Sequence, residues 1–283
     1  MPKSGVEVTK LNYFVIFASK FSDMLNYKVI ANDPSNGWVV MVHGAGGSIE
    51  VWFRQVPDFA RHFNLLLVDL AGHGGSVSDV FCKGLNFERI ADQVMDVVDH
   101  VGITTSHFMG LSLGSIVVRV IAERYPQRVE SMVLAGAVTK LSAKTRLLIR
   151  LVDKFKNIIP YRLLKKMIAM CIIPHRKYRK SKALFLKSAQ KLNFDHFLEW
   201  MKLGDNISRK MADLFSRQIL IPTLYVMGEN DYLFLPQARV AASEGGEKVS
   251  MVIVPDAGHV CNVDNKSFFN RASIEFFKQF GRL

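Results

Sequence analysis

Four short runs of the chain are apolar almost without interruption: WVVMVHG (38–44), FNLLLVDL (63–70), SHFMGLS (106–112) and VESMVLAG (129–136). A strand with one wet face alternates apolar and polar residues, whereas a strand covered on both faces has no polar side to show. The segments between the runs have helical spacing. In FERIADQVMDVVDHVG (87–102), Ile90, Val94, Val97, Val98 and Val101 share one face, and Gly102 stops the pattern. LGSIVVRVIAERYP (113–126) is a second helix, ended by Pro126, and another fits between Ile49 and Arg61. Strand–helix–strand alternation of this kind predicts a doubly wound, mostly parallel sheet with helices on both faces. NYFVIFA (12–18) and NYKVIAND (26–33) read as two opening antiparallel strands.

The alternation stops between Ala137 and Gln218. TRLLIRLVDKFKNII (145–159) places Leu147, Leu148, Leu151, Val152, Phe155, Ile158 and Ile159 on one helical face. Pro160 can open the next helix and Pro174 close it. SKALFLKSAQKL (181–192) and DHFLEWMKLG (195–204) suggest two more helices. The sheet resumes with IPTLYVMGEND (221–231) and KVSMVIVPDAG (248–258), and NKSFFNRASIEFFKQF (265–280) is a closing helix. The expected architecture is one α/β core, residues 1–138 and 218–283, with about eight strands. An all-helical cap over residues 139–217 is inserted after the sixth.

Charge sharpens this division. The formal net charge is +12, but residues 140–217 alone hold 20 Lys and Arg against 5 Asp and Glu. The basicity therefore belongs to the expected cap. It fits either a solvated polar face or a lid that meets an anionic membrane surface. No nucleic-acid motif accompanies it. The cysteines at 82, 171 and 261 are sparse and odd in number, implying neither a disulfide framework nor a zinc site. LNYFVIFASKF (11–21) is too short for a membrane span and alternates like a strand. A cytoplasmic protein is expected, with a peripheral place at the inner membrane face if the cap binds lipid.

The third apolar run ends in Ser112, set between Gly110 and Gly114. A serine between strand and helix that exposes its hydroxyl must sit on a very tight turn, which leaves no room for side chains two residues away. A hydroxyl is a weak nucleophile and needs a base oriented by a carboxylate. His259 in DAGHVCN and Asp231 in GEND follow the last two expected strands, at the carboxyl ends where open α/β sheets bind ligands. Asp256 and Glu229 are alternative acids. HGAGGS (43–48) can bring the N–H of Ala45 opposite that of Leu113, two donors for an oxyanion.

HGAGGS, DLAGHGGS (69–76), GLSLGS, GEND and AGHVCN, in this order and spacing, resemble the α/β-hydrolase superfamily. The resemblance covers nearly the whole chain. It implies Ser112 as nucleophile, His259 as base, Asp231 as orienting acid, Ala45 and Leu113 as oxyanion donors, and the helical insertion as a cap. His43 and His73 then read as structural, Asp69 as a ligand of turn amides and Cys261 as a small buried thiol. No metal or organic cofactor is implied. The expected function is a serine hydrolase cleaving an ester, lactone or thioester of an apolar small molecule. A carbon–carbon hydrolase or lyase with the same triad is the alternative, and a non-catalytic receptor is a third reading.

Overall fold

The computed structural model describes residues 14–18, 24–203, 211 and 213–281. The ends of NYFVIFA, LNYFVIFASKF and DHFLEWMKLG, and residues 204–210 and 212 of the expected cap, lie outside the described residues.

Eight strands form one sheet: β1 (Phe14–Ala18), β2 (Tyr27–Ala31), β3 (Trp38–Val42), β4 (Asn64–Val68), β5 (Ser106–Leu111), β6 (Val129–Ala135), β7 (Thr223–Gly228) and β8 (Val249–Val254). Their spatial order is β1-β2-β4-β3-β5-β6-β7-β8. The β1–β2 and β2–β4 pairs are antiparallel, and every pair from β4 to β8 is parallel. The central strands β3 to β7 are almost wholly buried, β4, β5 and β7 at every residue, because helices cover both faces. One core packs α1 (Phe87–His100) and α2 (Leu113–Arg124) against the sheet through Ile90, Val94, Val117 and Ile121. On the other face, Phe269 and Phe277 from the last long helix meet Trp52, Phe59 and Met109.

The segment Ile49–Arg61 is not one helix. It forms a 3-10 turn at Ile49–Trp52 and a short helical turn at Val56–Phe59, with Pro57 inside it. The fully buried Gln55 between them donates from Nε2 to the Asn262 carbonyl and to Asn270 Oδ1, at 2.8 and 2.9 Å. These bonds tie the segment to the far end of the chain.

Between β6 and β7 the described structure is helical: α3 (Ala143–Phe155), α4 (Tyr161–Ile172), α5 (Arg179–Ala189) and α6 (Phe194–Lys202). Ser142 caps α3 by accepting from the Thr145 N–H. Pro160 precedes the first residue of α4, and Pro174 lies just beyond its end. Val152, Leu164, Leu192 and Phe197 form a small core of their own, with Leu148 and Ile159 against it. The single apolar face expected for residues 145–159 is therefore divided. Leu148, Val152 and Ile159 pack inward, while Leu147, Leu151, Phe155 and Ile158 are exposed.

Candidate active site

Ser112 directly follows β5 and precedes α2. Its backbone lies at φ 53° and ψ −118°, a region that disfavours any residue with a Cβ and recurs at functional sites. The neighbouring glycines allow the turn. A Cβ on Gly110 would stand 2.4 Å from the Gly114 carbonyl oxygen, and one on Gly114 would stand 2.3 Å from that of Val42. β5, α2 and β3 thus meet at backbone contact. The Ser112 N–H donates to the Ala135 carbonyl at 2.8 Å, and Ser115 Oγ donates to the Ser112 carbonyl at 2.6 Å.

Ser112 Oγ lies 2.8 Å from His259 Nε2, and His259 Nδ1 lies 2.8 Å from Asp231 Oδ2. Both partners are almost wholly enclosed, Asp231 at 3% and His259 at 4% exposure. Asp231 Oδ1 accepts from the Phe234 N–H at 3.2 Å, which fixes the carboxylate plane. The alternative acids point elsewhere. Asp256 is 89% exposed and pairs with Lys177 at 3.3 Å, and Glu229 Oε2 accepts from the Asp256 N–H.

The loops carrying Asp231 and His259 touch through their backbones, since a Cβ on Gly228 would stand 2.0 Å from the Gly258 carbonyl oxygen. Gly228→Ala is expected to destabilise the protein by about 3 kcal/mol, because neither partner is a side chain that can swing away. Urea denaturation measures it; an unchanged midpoint would mean the two loops are not in contact.

The loop after β3 passes against the Ser112 turn. A Cβ on Gly44 would stand 2.9 Å from Ser112 Cβ, and Ala45 is the next residue. Leu113 opens α2, so its N–H is among those with no intrahelical acceptor, at the positive end of the helix dipole. Two buried histidines fix the loop. His43 Nε2 accepts from the Leu70 N–H at 3.0 Å while Nδ1 donates to the Gly44 carbonyl at 2.8 Å. His73 Nε2 accepts from the Gly46 N–H at 2.9 Å while Nδ1 donates to the Ala71 carbonyl. Asp69 accepts from the N–H groups of Ile49 and Gly75, each at 2.8 Å.

These bonds require neutral rings, and burial depresses His43 to about 4 and His73 to about 3. A histidine with a depressed folded pKa stabilises the fold above its unfolded value near 6.5. That stability is lost as pH falls toward 4 for His43 and toward 3 for His73. Each ring loses about 1.4 kcal/mol per pH unit below 6.5, so the pair loses roughly 4 kcal/mol between pH 7 and 5. Asp69, raised by burial, opposes part of this. Denaturant titration at the two pH values tests it, and equal stabilities would mean that the rings are charged or wet in the folded protein.

A sequence profile of the α/β hydrolase fold matches residues 37–170. The chain has the α/β-hydrolase fold. It is 26% identical over 246 residues to the dihydrolipoyllysine-residue acetyltransferase component of the acetoin cleaving system of Pseudomonas putida, covering 85% of this chain and 63% of that protein. The chain thus spans less than two thirds of the length of that relative. A putative carbamate hydrolase, RutD, of Agrobacterium fabrum is 24% identical over 254 residues, covering 84% and 92%. The enol-lactonase of Burkholderia xenovorans superposes with a TM-score of 0.71 at 20% identity, over 90% of this chain and 96% of its own.

Two linked chambers open beside Ser112 and His259. One of about 70 Å³ is lined by Ser112, His259, Leu184 and Val260. The other, about 230 Å³, is walled by Leu113, Ile149, Ile168, Leu192, Trp200 and Met201. Ala45, Ile172 and Phe185 line both. The insertion is fastened to the loops of His259 and Asp231 by residues that sequence reasoning missed. Ser181 Oγ donates to Asp264, whose other oxygen accepts from the Gly258 N–H at 2.9 Å. Asn230 Nδ2 donates to Tyr178 Oη at 2.9 Å, and Tyr232 Oη to the Cys171 carbonyl at 2.5 Å. Asp264 lies five residues beyond His259, a visible position, but nothing in the sequence points to Ser181 as its partner. Cys261, also near His259, is wholly buried, and burial pushes its thiol far up, so it does not compete as a nucleophile.

Proposed function

We propose that this hydrolase cleaves a carboxylic ester or related acyl bond, such as a lactone or thioester, of an apolar small molecule through an acyl-enzyme. The observation that carries this reading is the hydrogen-bonded chain Ser112–His259–Asp231 on a strained turn beside a carbon-lined cavity. As Ser112 Oγ attacks the carbonyl carbon, His259 Nε2 takes its proton. The oxyanion is held by the N–H groups of Ala45 and Leu113, each worth about 3 kcal/mol to the transition state. His259 returns the proton to the leaving oxygen or sulfur, and the acyl group stays on Ser112. Water then loses a proton to His259, attacks the acyl carbon and releases the acid. Asp231 holds the ring with Nδ1–H and stabilises the imidazolium. The acyl portion occupies the larger chamber, which offers a small carbon-rich group the burial it gains most from. Similarity to a protein named as a putative carbamate hydrolase and, in fold, to an enol-lactonase is in keeping with this reading.

The test combines covalent labelling by a fluorophosphonate with turnover of p-nitrophenyl esters, lactones, acyl-thioesters and a β-diketone. Labelling at Ser112 with ester, lactone or thioester turnover is expected. Turnover of the diketone alone would replace the proposal with carbon–carbon hydrolysis, and no labelling with no turnover would leave a binding protein.

A further inference from the structure

The outer faces of α3 and α4 carry an arrangement that neither the core nor the cavity uses. On α3, Leu147, Leu151 and Phe155 form a stripe at spacings of four, exposed by 57%, 45% and 36%. Ile158, just beyond, is 75% exposed. On α4, Leu163, Met167 and Met170 form a second exposed stripe. Scattered exposed apolar residues are ordinary; seven on two consecutive helices and the turn between them are not. The inward faces of the same helices are satisfied, with Val152 and Leu164 in the small core and Ile149, Ile168 and Ile172 lining the chambers. The outward stripes are therefore not a buried face misplaced.

The charges around the stripes are of one sign. Residues 140–172 hold nine Lys and Arg and one acidic residue, Asp153, which pairs with Lys156 at 2.6 Å. Arg146, Arg150 and Lys154 flank the first stripe, and Arg162 and Lys166 the second; all five are exposed. Aliphatic side chains ringed by Lys and Arg, with hardly an acid among them, match an interface where acyl chains lie beneath phosphates. A second copy of this chain would bring like charge against like charge across the same face, so it fits poorly. Among the described residues no helix is long and apolar enough to cross a membrane, so the contact is peripheral.

We propose that the outer face of α3 and α4 docks on an anionic lipid surface, with Leu147, Leu151, Ile158 and Met170 entering the headgroup region and the flanking cations meeting phosphates. Docking is independent of the Ser112 chemistry. Its use rests on that chemistry: the inner sides of the same two helices wall the larger chamber, so an acyl substrate leaving the bilayer would meet the chamber within one helix diameter, about 10 Å.

Co-sedimentation of the full chain with phosphatidylglycerol-containing vesicles and with pure phosphatidylcholine vesicles, at low and high salt, tests this. The wild type should sediment with the anionic vesicles at low salt and be released by high salt. Arg150→Gln/Lys154→Gln/Lys166→Gln should lower partitioning roughly a hundredfold, from about 1 kcal/mol per cation. Leu147→Ser/Leu151→Ser/Ile158→Ser should lower it at least tenfold, while fluorophosphonate labelling, or the far-UV spectrum if nothing labels, reports an intact fold. Ser112→Ala should bind as the wild type does, so failure of the catalytic reading leaves this result standing. Equal, negligible binding to both vesicle types overturns the proposal. So does self-association that the serine variant abolishes without any vesicle binding.

Discussion

Ser112→Ala is expected to lower kcat for ester hydrolysis by roughly 10⁶-fold and to abolish fluorophosphonate labelling. The loss is large because the substitution removes the atom that forms the acyl bond, leaving water to attack without covalent help. The N–H groups of Ala45 and Leu113, proposed as oxyanion donors, remain, so a residual rate above the uncatalysed reaction should persist. Stability should hardly change, since alanine has the same backbone preference as serine at φ 53° and the only bond lost is the one to His259. Ser112→Gly should be equally inactive but more stable than Ser112→Ala by about 1 kcal/mol, because glycine pays nothing for this backbone. Steady-state kinetics and thermal unfolding read both. An alanine variant that still labels at the same turn and rate would remove Ser112 from the mechanism.

Asp231→Asn is expected to cost about four orders of magnitude in kcat with little change in KM. Asparagine keeps the shape, but its amide can donate to Nδ1 and turn the ring into the tautomer that cannot accept the Ser112 proton. It also removes the charge that balances the imidazolium. Asp256→Asn should stay near the wild-type rate, because Asp256 faces solvent and Lys177. The reverse outcome, an inactive Asp256→Asn beside an active Asp231→Asn, would transfer the orienting role.

The parts of this architecture that are covered on both faces were legible in the sequence, since solvent imposes no polar residue there. β3, β4, β5 and β6 each stand out as an apolar run, and their order follows from the helices between them. The Ser112 turn was legible for a related reason: backbone-to-backbone contact at Gly110 and Gly114 excludes every other residue. Legibility failed where the deciding partner is remote. Gln55 is held by Asn262 and Asn270, more than 200 positions away, and these bonds break what would pass for a helix from Ile49 to Arg61. Ser181 meets Asp264 across 83 positions. Spacing also identified the apolar residues of α3 without saying which would be covered: Val152 found a neighbour in Leu164, and Leu151, one position away, did not.

β6 and β7 are hydrogen-bonded neighbours, pairing Ala135 with Val226, yet about 90 residues of chain lie between their ends. The chain leaves the sheet and returns one strand spacing away, about 4.8 Å. In polymer terms the whole helical insertion is a single loop. Closing a loop of that length costs about 4 kcal/mol, against about 2 kcal/mol for a ten-residue connection. For a difference of roughly 2 kcal/mol, the sheet tolerates an appendage with its own small core, its own surface chemistry and most of the chamber wall. Mutation of insertion residues that line the chamber, such as Ile168 and Met201, can therefore remodel what it admits while Ser112, Asp231 and His259, held by the sheet and its loops, keep their places.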